Sequence, residues 1–463
     1  MDKPDNLHPR ATSANHEQIP RSETISLREK HVGKSCKLFF KADPLKIVRA
    51  QGQYMYNEMG EELLDCINNV CHVGHCHPHV VKSGQDQMAI LNTNNRFLHD
   101  NLVLYAERLI KTFPERLSVA FFVNSGSEAN DLALRMARAH TKSREVITLE
   151  HAYHGHVISL MEISPYKFKN QSQDDACPDQ THIAPVPDVY RGKYRDQDYP
   201  GQDLGEVYAE DVKEICEKLA EQGKKPGCFI AESLQSCGGQ IIYPNSYLRH
   251  VYNHVRAAGG LCIADEVQVG FGRVGTNWWA FQTYGNDVIP DIVTIGKPMG
   301  NGHPVAAVVT TEEVAASFAG TGIEYFNTYG GNPVSCSIAS AVMDVIEDEK
   351  LMEHAEEVGR YLKRGLERLM LKHEIVGDVR GVGMFLGLDL VKDRTTREPF
   401  TAAAQHVLTR FREERILLQS DGPYNNVLKF KSPLVFNKSN ADRLVNTLDE
   451  VLEEIRLMSN FID

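Results

Sequence analysis

Six potential metal ligands lie within nine residues in the segment CHVGHCHPH, residues 71–79. Cysteine thiolates and histidine nitrogens are the usual ligands of zinc. These side chains follow one another so closely, however, that they point in too many directions to form one tetrahedral set. No glutamate stands beside them, and the H-E-x-x-H pattern of zinc hydrolases does not occur in the chain. We therefore predict that this segment holds no metal.

A candidate anion site lies in the segment NSGSEAN, residues 124–130. It follows a strand-like run and opens a segment with helical periodicity. The first turn of a helix carries free backbone N–H groups and the positive end of the helix dipole, which together attract phosphate. Ser125, Gly126 and Ser127 lie at that point. An N-cap serine without any ligand is the alternative interpretation.

The segment DEVQVGFGRVG, residues 265–275, combines two carboxylates with a G-x-G-x-x-G pattern. That pattern is typical of dinucleotide-binding turns, which hold a pyrophosphate at a helix N-terminus. Here the glycines follow Asp265 and Glu266, whose charge would oppose a pyrophosphate, and they lead into TNWWAFQ, a poor helix start. The segment therefore favours a carboxylate site over a nicotinamide site.

Lys297 ends the apolar run DIVTIG, residues 291–296, beside a glycine-rich loop. Most lysines are solvated, but an amine at this end of a strand can have a lowered pKa and act as a nucleophile. Pyridoxal phosphate needs an anion pocket, a carboxylate beside its pyridine nitrogen and a lysine that binds its aldehyde. The segments around Ser125, Asp265 and Lys297 supply one group each. We therefore predict that the chain binds pyridoxal 5'-phosphate.

The composition excludes several other classes of protein. The chain has 463 residues, which predicts about two or three lobes. Its formal charge of -12 is spread without an acidic tail or a basic block, which argues against nucleic acid or a membrane as partner. No apolar run approaches the roughly 18 residues that span a bilayer. Ten cysteines without a repeating pattern indicate an intracellular, reducing compartment and free thiols.

Short β-rich apolar runs separated by helix-length segments predict an α/β fold with a mostly parallel central sheet. After about residue 345 a long amphipathic helix, a strand at 384–391 and a last helix predict a smaller α+β lobe. Residues 166–209 give no periodic signal, which is typical of a functional or mobile loop. The runs of the central sheet lie at residues 119–124, 145–150, 228–233, 261–267 and 291–296.

Four segments are predicted along the chain. Residues 1–27 form a disordered tail, 28–88 the first part of a small domain, 89–342 a large cofactor-binding domain and 343–463 the rest of the small domain. The tail mixes acidic and basic residues, whereas an import presequence is poor in acids. A cytosolic location therefore stays open.

Six motifs together resemble the class III (ω-amino acid type) pyridoxal-phosphate aminotransferases, on the fold-type I scaffold, from about residue 28 to residue 458. In that family the first motif is a loop segment without metal, so its histidines are expected to be structural. Family members are also associated with mitochondria. The motifs are GHCHP (74–78), NSGSEAN (124–130), HAYHGH (151–156), IADEVQVGFGRVG (263–275), GKPMGNGHP (296–304) and NTYGGNP (327–333).

The resemblance implies a role for each residue of the site. Lys297 would be the Schiff-base lysine, Asp265 would pair with the pyridine nitrogen, Gln268 would reach the ring hydroxyl and Tyr153 would stack on the ring. Thr328 would touch the cofactor phosphate of a partner subunit, which implies a homodimer or a dimer of dimers. The other implied cofactor-binding residues are Ser125, Gly126, Ser127, His154 and Glu232.

Two departures from the typical transaminase pattern indicate a different reaction. Typical members bind the substrate α-carboxylate with an arginine in a stretch like R-x-A-P. The equivalent LKFKSP places Lys429 there, and lysine cannot form the bidentate fork. Glu232-Ser233 replaces the usual glutamate-proline pair. These changes, with PDVYRGKYR (187–195), resemble the branch that eliminates phosphate from ethanolamine phosphate or 5-phosphohydroxy-L-lysine.

The sequence therefore predicts a phospho-lyase, in which the freed Lys297 takes a proton from the aminomethylene carbon and phosphate leaves. Short matches to that branch favour ethanolamine phosphate, which would give acetaldehyde, ammonia and phosphate. Three alternatives stay open: 5-phosphohydroxy-L-lysine as substrate, a class III ω-aminotransferase using a keto-acid acceptor, and a cofactor-free interaction protein. The candidate cations for the substrate phosphate are Lys429, Lys431, Arg191 and Arg195.

Overall fold

The computed structural model describes residues 17–41, 43–168 and 177–458, and the predicted features at residues 1–16 and 169–176 lie outside these ranges. The strands within them are short, as is usual in an α/β protein. They are β1 (Ile47–Gln51), β2 (Tyr54–Asn57), β3 (Glu62–Asp65), β4 (Val119–Val123), β5 (Glu145–Leu149), β6 (Thr181–Ala184), β7 (Pro226–Glu232), β8 (Leu261–Asp265), β9 (Ile292–Ile295), β10 (Ala306–Thr310), β11 (Val376–Val382), β12 (Phe385–Leu390), β13 (Ile416–Leu417), β14 (Gln419–Asp421) and β15 (Val427–Phe430).

A seven-stranded sheet with the order β4-β10-β9-β8-β7-β5-β6 forms the centre of the molecule. Five neighbouring strands, in the order β6-β5-β7-β8-β9, pair in parallel. Strand β10 runs antiparallel to both β4 and β9. The predicted α/β fold with a mostly parallel sheet is therefore confirmed. Strand β10 was not predicted, and the edge strand β6 lies within the stretch predicted as a loop.

Helices cover both faces of this sheet. Side chains of α4 pack on one face with Ile230, and side chains of α7 and α8 pack on the other face with Phe229. None of the helices in the described ranges is long and apolar enough to cross a membrane. The helices are α1 (Arg21–His31), α2 (Pro78–Ile90), α3 (Asp100–Ile110), α4 (Gly126–Thr141), α5 (Ile158–Met161), α6 (Pro165–Phe168), α7 (Leu204–Glu221), α8 (Tyr247–Ala257), α9 (Glu312–Ala319), α10 (Pro333–Asp348), α11 (Leu351–Lys372), α12 (Thr401–Glu413) and α13 (Lys438–Leu457).

Two four-stranded sheets lie outside the central sheet, with the orders β1-β2-β3-β13 and β11-β12-β15-β14. The first joins the two ends of the chain, because β13 pairs in parallel with β3. The predicted limits at residues 88 and 342 fall inside helices α2 and α10. The chain therefore passes between the predicted domains along continuous helices, and the limits themselves stay a prediction.

Residues 21–27, which were predicted as part of a disordered tail, instead lie in helix α1. Glu23 in its first turn and Arg28 in its last turn have the signs that the helix dipole favours. Arg21 also donates hydrogen bonds to the backbone oxygen of Pro44 and to Asp43. The local charge pattern and these contacts order a segment that buries no side chain.

The four histidines of residues 71–79 contact four different residues, which lie on β3, in the loop at Phe271 and at the C-terminal end of α10. Each makes a structural contact of its own, which agrees with their structural interpretation. The contacts are His72 Nε2 with Phe271 O at 2.5 Å, His75 Nε2 with Asp65 Oδ2 at 2.7 Å, His77 Nε2 with Glu349 Oε1 at 2.9 Å and His79 Nε2 with Asp344 Oδ2 at 2.8 Å.

The pair of His75 and Asp65 predicts a pH-dependent stability. Burial opposes the charge on His75, but the hydrogen bonds to Asp65 and Cys71 outweigh it and raise the pKa of His75 to about 9. Because this pKa lies above the unfolded value of about 6.5, the stabilisation is complete below about pH 6.5 and is lost as pH rises towards 9. We expect His75→Gln to cost about 2–3 kcal/mol of unfolding free energy at pH 6, and much less at pH 9.5.

Urea unfolding of the parent and the variant at several pH values measures this difference. His79→Gln is the matched control, because the side chains of His79 and its partner Asp344 are 54% and 35% exposed. It should change the unfolding free energy by less than about 0.5 kcal/mol. An effect of His75→Gln that is the same at pH 6 and pH 9.5 would contradict a charged His75.

Candidate active site

A cavity of about 350 Å³ lies at the carboxyl ends of the central strands, where ligands bind in open α/β sheets. The elements that end there are β4, β7, β8 and β9, each followed by a loop with predicted site residues. The lining includes nine of the ten predicted cofactor-binding residues. These are Ser125, Gly126, Ser127, Tyr153, His154, Glu232, Asp265, Gln268 and Lys297.

The first turn of α4 forms the anion end of the cavity. Ser125 is its N-cap, and the Ser125 hydroxyl accepts a hydrogen bond from the backbone N–H of Glu128 at 3.1 Å. The N–H groups of Gly126 and Ser127 have no helical partner, because they begin the helix. A Cβ atom at Gly126 would lie 2.7 Å from the side chain of Val267, so the close approach requires glycine. This turn can bind a phosphate through backbone N–H groups.

The Asp265 carboxylate lies at the end of β8 and is buried. Its Oδ2 accepts hydrogen bonds from Asn130 Nδ2 at 2.8 Å and His154 Nδ1 at 2.9 Å. Its Oδ1 accepts from the backbone N–H of Val267 at 3.1 Å. Asn130 Oδ1 in turn accepts from Thr294 Oγ1 at 2.6 Å. A carboxylate held in this way can bind a protonated ring nitrogen from one fixed direction.

Two buried polar atoms near this carboxylate have no partner within the described residues, namely His154 Nε2 and Glu232 Oε1. Burial and the charge of Asp265 raise the pKa of Glu232 to about 7. The other oxygen of Glu232 accepts from the backbone N–H of Ser236 at 3.1 Å. Because unsatisfied buried polar groups are rare in proteins, these atoms indicate a cavity that holds a polar ligand.

The backbone of Lys297 is strained. Its φ angle is 24°, in a region that side-chain-bearing residues rarely adopt. Such strain is found mainly at functional sites, where the surrounding structure compensates for it. The strain agrees with the predicted role of Lys297. Tyr153 also lines the cavity, and burial raises the pKa of its hydroxyl.

Sequence reasoning missed the supporting residues Asn130 and Thr294. Both are buried and polar, and they join helix α4 to strand β9 beside Asp265. Asn130 stood inside the quoted motif NSGSEAN, next to Ala129 and four residues before Leu134 on the apolar side of the helix. A polar residue on that side was the signal that could have identified it.

The four predicted phosphate-binding cations lie in different surroundings. Lys429 and Lys431 are buried near Cys237 and Glu232, and neither is among the residues that line the first cavity. Arg191 lines a second cavity of about 300 Å³, and Arg195 lies at the surface. Their bonds are Lys429 Nζ to Asp421 Oδ2 at 2.5 Å, Lys431 Nζ to Ser236 Oγ at 2.6 Å and to Gln268 Oε1, Arg191 Nη2 to Asp389 Oδ1 at 2.6 Å and Arg195 Nε to Asp198 Oδ2 at 2.7 Å.

The two buried lysines have opposite electrostatic surroundings. Burial opposes the charge of Lys429, but Asp421 and Cys237 outweigh it and raise its pKa. Burial and the charge of Lys429 together hold the pKa of Lys431 well below its usual value. Thr328, the tenth predicted cofactor residue, is exposed and lies outside the lining of the cavity.

The sequence matches the family described as "Aminotransferase class-III" over residues 40–452. A Drosophila melanogaster relative named "Alanine--glyoxylate aminotransferase 2-like" is 58% identical and covers 95% of this chain and 88% of its own. A Caenorhabditis elegans relative named "Ethanolamine-phosphate phospho-lyase homolog 1" is 48% identical over 96% of both chains. An Arabidopsis thaliana relative named "Alanine--glyoxylate aminotransferase 2 homolog 2, mitochondrial" is 41% identical over 88% of this chain and 82% of its own.

The solved structure of an Arthrobacter phospholyase in complex with phosphoethanolamine is similar to this fold, with a TM-score of 0.87 and 37% identity. It covers 93% of this chain and 99% of the other. An anion-binding helix turn, a fixed carboxylate and a lysine in one cavity fit pyridoxal phosphate, the cofactor that the family implies. The chain belongs to the class III aminotransferases, and it is a pyridoxal-phosphate-dependent enzyme of fold type I.

Proposed function

We propose that this enzyme eliminates phosphate from ethanolamine phosphate and, with water, gives acetaldehyde, ammonia and phosphate. The observation that carries the proposal is the buried pair of Lys429 and Asp421, at the position where typical family members bind a carboxylate with arginine. A substrate carboxylate would meet the charge of Asp421 and no guanidinium fork. Ethanolamine phosphate carries no carboxylate. The names of the C. elegans relative and of the Arthrobacter structure support the same substrate.

Bound pyridoxal phosphate would supply an electron sink for the carbon beside the substrate nitrogen. Asp265 would orient that group, and the α4 turn would hold its phosphate. Lys297 Nζ takes the proton from the aminomethylene carbon. The electron pair forms a carbon–carbon double bond as the bond from carbon to the phosphate oxygen breaks. Lys429 donates its remaining N–H groups to the departing phosphate, and water hydrolyses the released enamine to aldehyde and ammonia.

Two other reactions are supported by specific observations. The Drosophila and Arabidopsis relatives bear transaminase names, which favours an ω-aminotransferase that needs a keto-acid acceptor. The substrate 5-phosphohydroxy-L-lysine has the same amine and phosphate on adjacent carbons, so the residues around Lys297 and Lys429 suit it equally. The Arabidopsis name also supports a mitochondrial location, which we propose here over the cytosol.

Phosphate release separates these reactions. We expect the loaded enzyme to release phosphate and acetaldehyde from ethanolamine phosphate in equal amounts, through many turnovers and without any keto acid. The matched assays use 5-phosphohydroxy-L-lysine, and alanine with glyoxylate. Lys297→Ala serves as the inactive control. Turnover that requires glyoxylate, without phosphate release, would replace the proposal with transamination, and faster phosphate release from 5-phosphohydroxy-L-lysine would replace the substrate.

The role of Lys429 predicts a specific loss. Lys429→Ala removes a charge-assisted contact of about 1.5–3 kcal/mol, which lowers kcat/KM for ethanolamine phosphate about ten- to a hundredfold. Because this change also leaves Asp421 buried without its cation, the double variant Lys429→Ala/Asp421→Asn is measured beside it. Lys429→Arg should retain most of the elimination and admit carboxylate-bearing amines.

The exposed Lys218 on α7 provides the control, since Lys218→Ala removes a lysine that is 67% exposed. If Lys429→Ala and Lys429→Ala/Asp421→Asn both keep the parent value of kcat/KM while Arg191→Ala or Arg195→Ala lowers it, the phosphate-binding cation lies on the long loop instead.

We also propose that the enzyme is a homodimer. An apolar patch follows the end of α2, the start of α3 and the loop before α10, next to the exposed Thr328. Its two loops touch, because the Arg96 guanidinium lies 4.0 Å from the ring centroid of Phe326. A second copy that covers the patch would carry Thr328 towards the partner's cavity. The patch consists of Met88, Ile90, Leu91, Phe97, Leu98, Leu104, Ile323, Phe326 and Tyr329.

A charge in the centre of this patch tests the dimer. Leu98 is fully exposed in the single chain, so Leu98→Glu should leave the monomer folded. We expect it to halve the sedimenting mass and to weaken pyridoxal-phosphate binding, because each site loses the partner's Thr328. Leu371→Glu is the control, since Leu371 is also exposed but lies on α11. A parent enzyme that sediments as a monomer would refute the proposal.

A further inference from the structure

The amide of Gln268 is oriented by several hydrogen-bond donors. Its Oε1 accepts from Asn69 Nδ2 at 3.0 Å and from Lys431 Nζ. Ser236 Oγ lies 3.4 Å away, and its single proton is shared between this oxygen and Gln240 Oε1 at 3.2 Å. Gln268 lines the cavity, and its Nε2 donates to Cys237 Sγ at 4.0 Å. Because donors already occupy the amide oxygen, only the N–H groups of Gln268 are left to offer to a ligand in the cavity.

Lys431 is a buried donor to the oxygen of this amide. It follows β15 directly and is only 1% exposed. Its Nζ makes hydrogen bonds to Ser236 Oγ and Gln268 Oε1, and none of the described carboxylates forms an ion pair with it. Lys429, two residues earlier, binds Asp421 instead. The two neighbouring lysines therefore contact different partners.

Burial is the main factor that opposes a charge on Lys431 and lowers its pKa. The cations Lys429, Lys297 and Arg273 act in the same direction, whereas Cys237 acts against them. The charge of Lys431 also acts on Glu232. An amine donates N–H groups with or without its extra proton, so the bond to Gln268 persists in both states.

We propose that Lys431 is a positioning residue for the cofactor: by holding Oε1 of Gln268, it keeps the Nε2 end of that amide directed at the ring oxygen of pyridoxal phosphate. An N–H donated to this oxygen stabilises the oxygen as an anion. With the cofactor bound, the amide N–H would keep this oxygen unprotonated to a lower pH, and the pH midpoint of the visible band would be lower than without it. The assignment depends on the cofactor and is independent of the substrate.

The visible spectrum of the loaded, substrate-free enzyme tests this role. Lys431→Met removes the donor and lets the Gln268 amide turn, so its oxygen faces the ring oxygen. We expect the pH midpoint of the visible band to rise by about one unit. Lys431→Gln keeps an N–H donor and should restore much of the parent midpoint. The dissociation constant of pyridoxal phosphate, measured by fluorescence titration, should rise in Lys431→Met.

A double-variant cycle separates positioning from a simple effect of charge. Lys431→Met should have little further effect on the midpoint in a Gln268→Met background, because the amide through which it acts is gone. The control Lys218→Met removes an exposed lysine on α7 with the same change in formal charge as Lys431→Met, and it should keep the parent midpoint. A shift of equal size in both backgrounds would overturn the proposal, since a field effect needs no amide.

Two other results for Lys431→Met would contradict the positioning role. If Lys431→Met keeps the parent spectrum and raises only the KM for ethanolamine phosphate, Lys431 binds substrate phosphate and the proposal is wrong. If it lowers the melting temperature and leaves the spectrum and cofactor affinity unchanged, its role is only structural, and the proposal is equally wrong. Each of these measurements except the KM can be made on an enzyme of any substrate preference.

Discussion

The buried carboxylate of Asp265 is the constraint on which the site depends. An ionised group without hydrogen-bond partners is costly in a protein interior, so its oxygens must find donors. Those donors come from three separate elements: Asn130 on α4, His154 in the loop after β5 and the backbone at Val267. Thr294 on β9 fixes Asn130 in turn. Satisfying one carboxylate thereby sets the positions of the first turn of α4 and of the strand that leads to Lys297.

The cost of burying a charge also determines the contacts of the two buried lysines, Lys429 and Lys431. Lys429 and Lys431 are two residues apart, a spacing that places side chains on one face of a strand. Burial and the nearby charge of Lys429 both oppose a charge on Lys431, which is why its pKa lies well below its usual value. Asp421 compensates only one of the two charges. The second lysine therefore contacts neutral oxygens, and this frees it for a role at the cofactor.

The sequence was sufficient for features that depend on local pattern. The buried parallel strands form continuous apolar runs, and the glycines of the α4 turn mark a close approach of the backbone. The sequence did not predict contacts in which the two partners lie on different secondary-structure elements. The pairing of Lys429 with Asp421 follows from the register of β14 against β15, in which Asp421 lies opposite Val427. No periodicity in the sequence encodes that register.

Distance along the chain limited the prediction of Arg191 in the same way. Its guanidinium contacts Asp389, 198 residues later, across the junction with the sheet of β11 and β12. A basic residue on a long polar loop looked like a free cation, and the fold provides it with a carboxylate. The prediction of a disordered tail at helix α1 was wrong for a different reason. This helix has no apolar face, and its order comes from local charges and contacts at its ends.

Lys429 stands where typical family members have an arginine, and its buried pairing with Asp421 bears on which reaction is favoured. An arginine at position 429 would offer a planar fork to a substrate carboxylate, which holds the substrate while the proton returns to the cofactor. A lysine paired with Asp421 offers a point charge with N–H groups to spare, and such a group suits a phosphate whose charge grows as it leaves. In the proposed elimination, expulsion of phosphate competes with return of the proton for the same electron pair. A residue that stabilises the departing charge more than the bound substrate favours elimination, because only interactions that strengthen in the transition state accelerate the step.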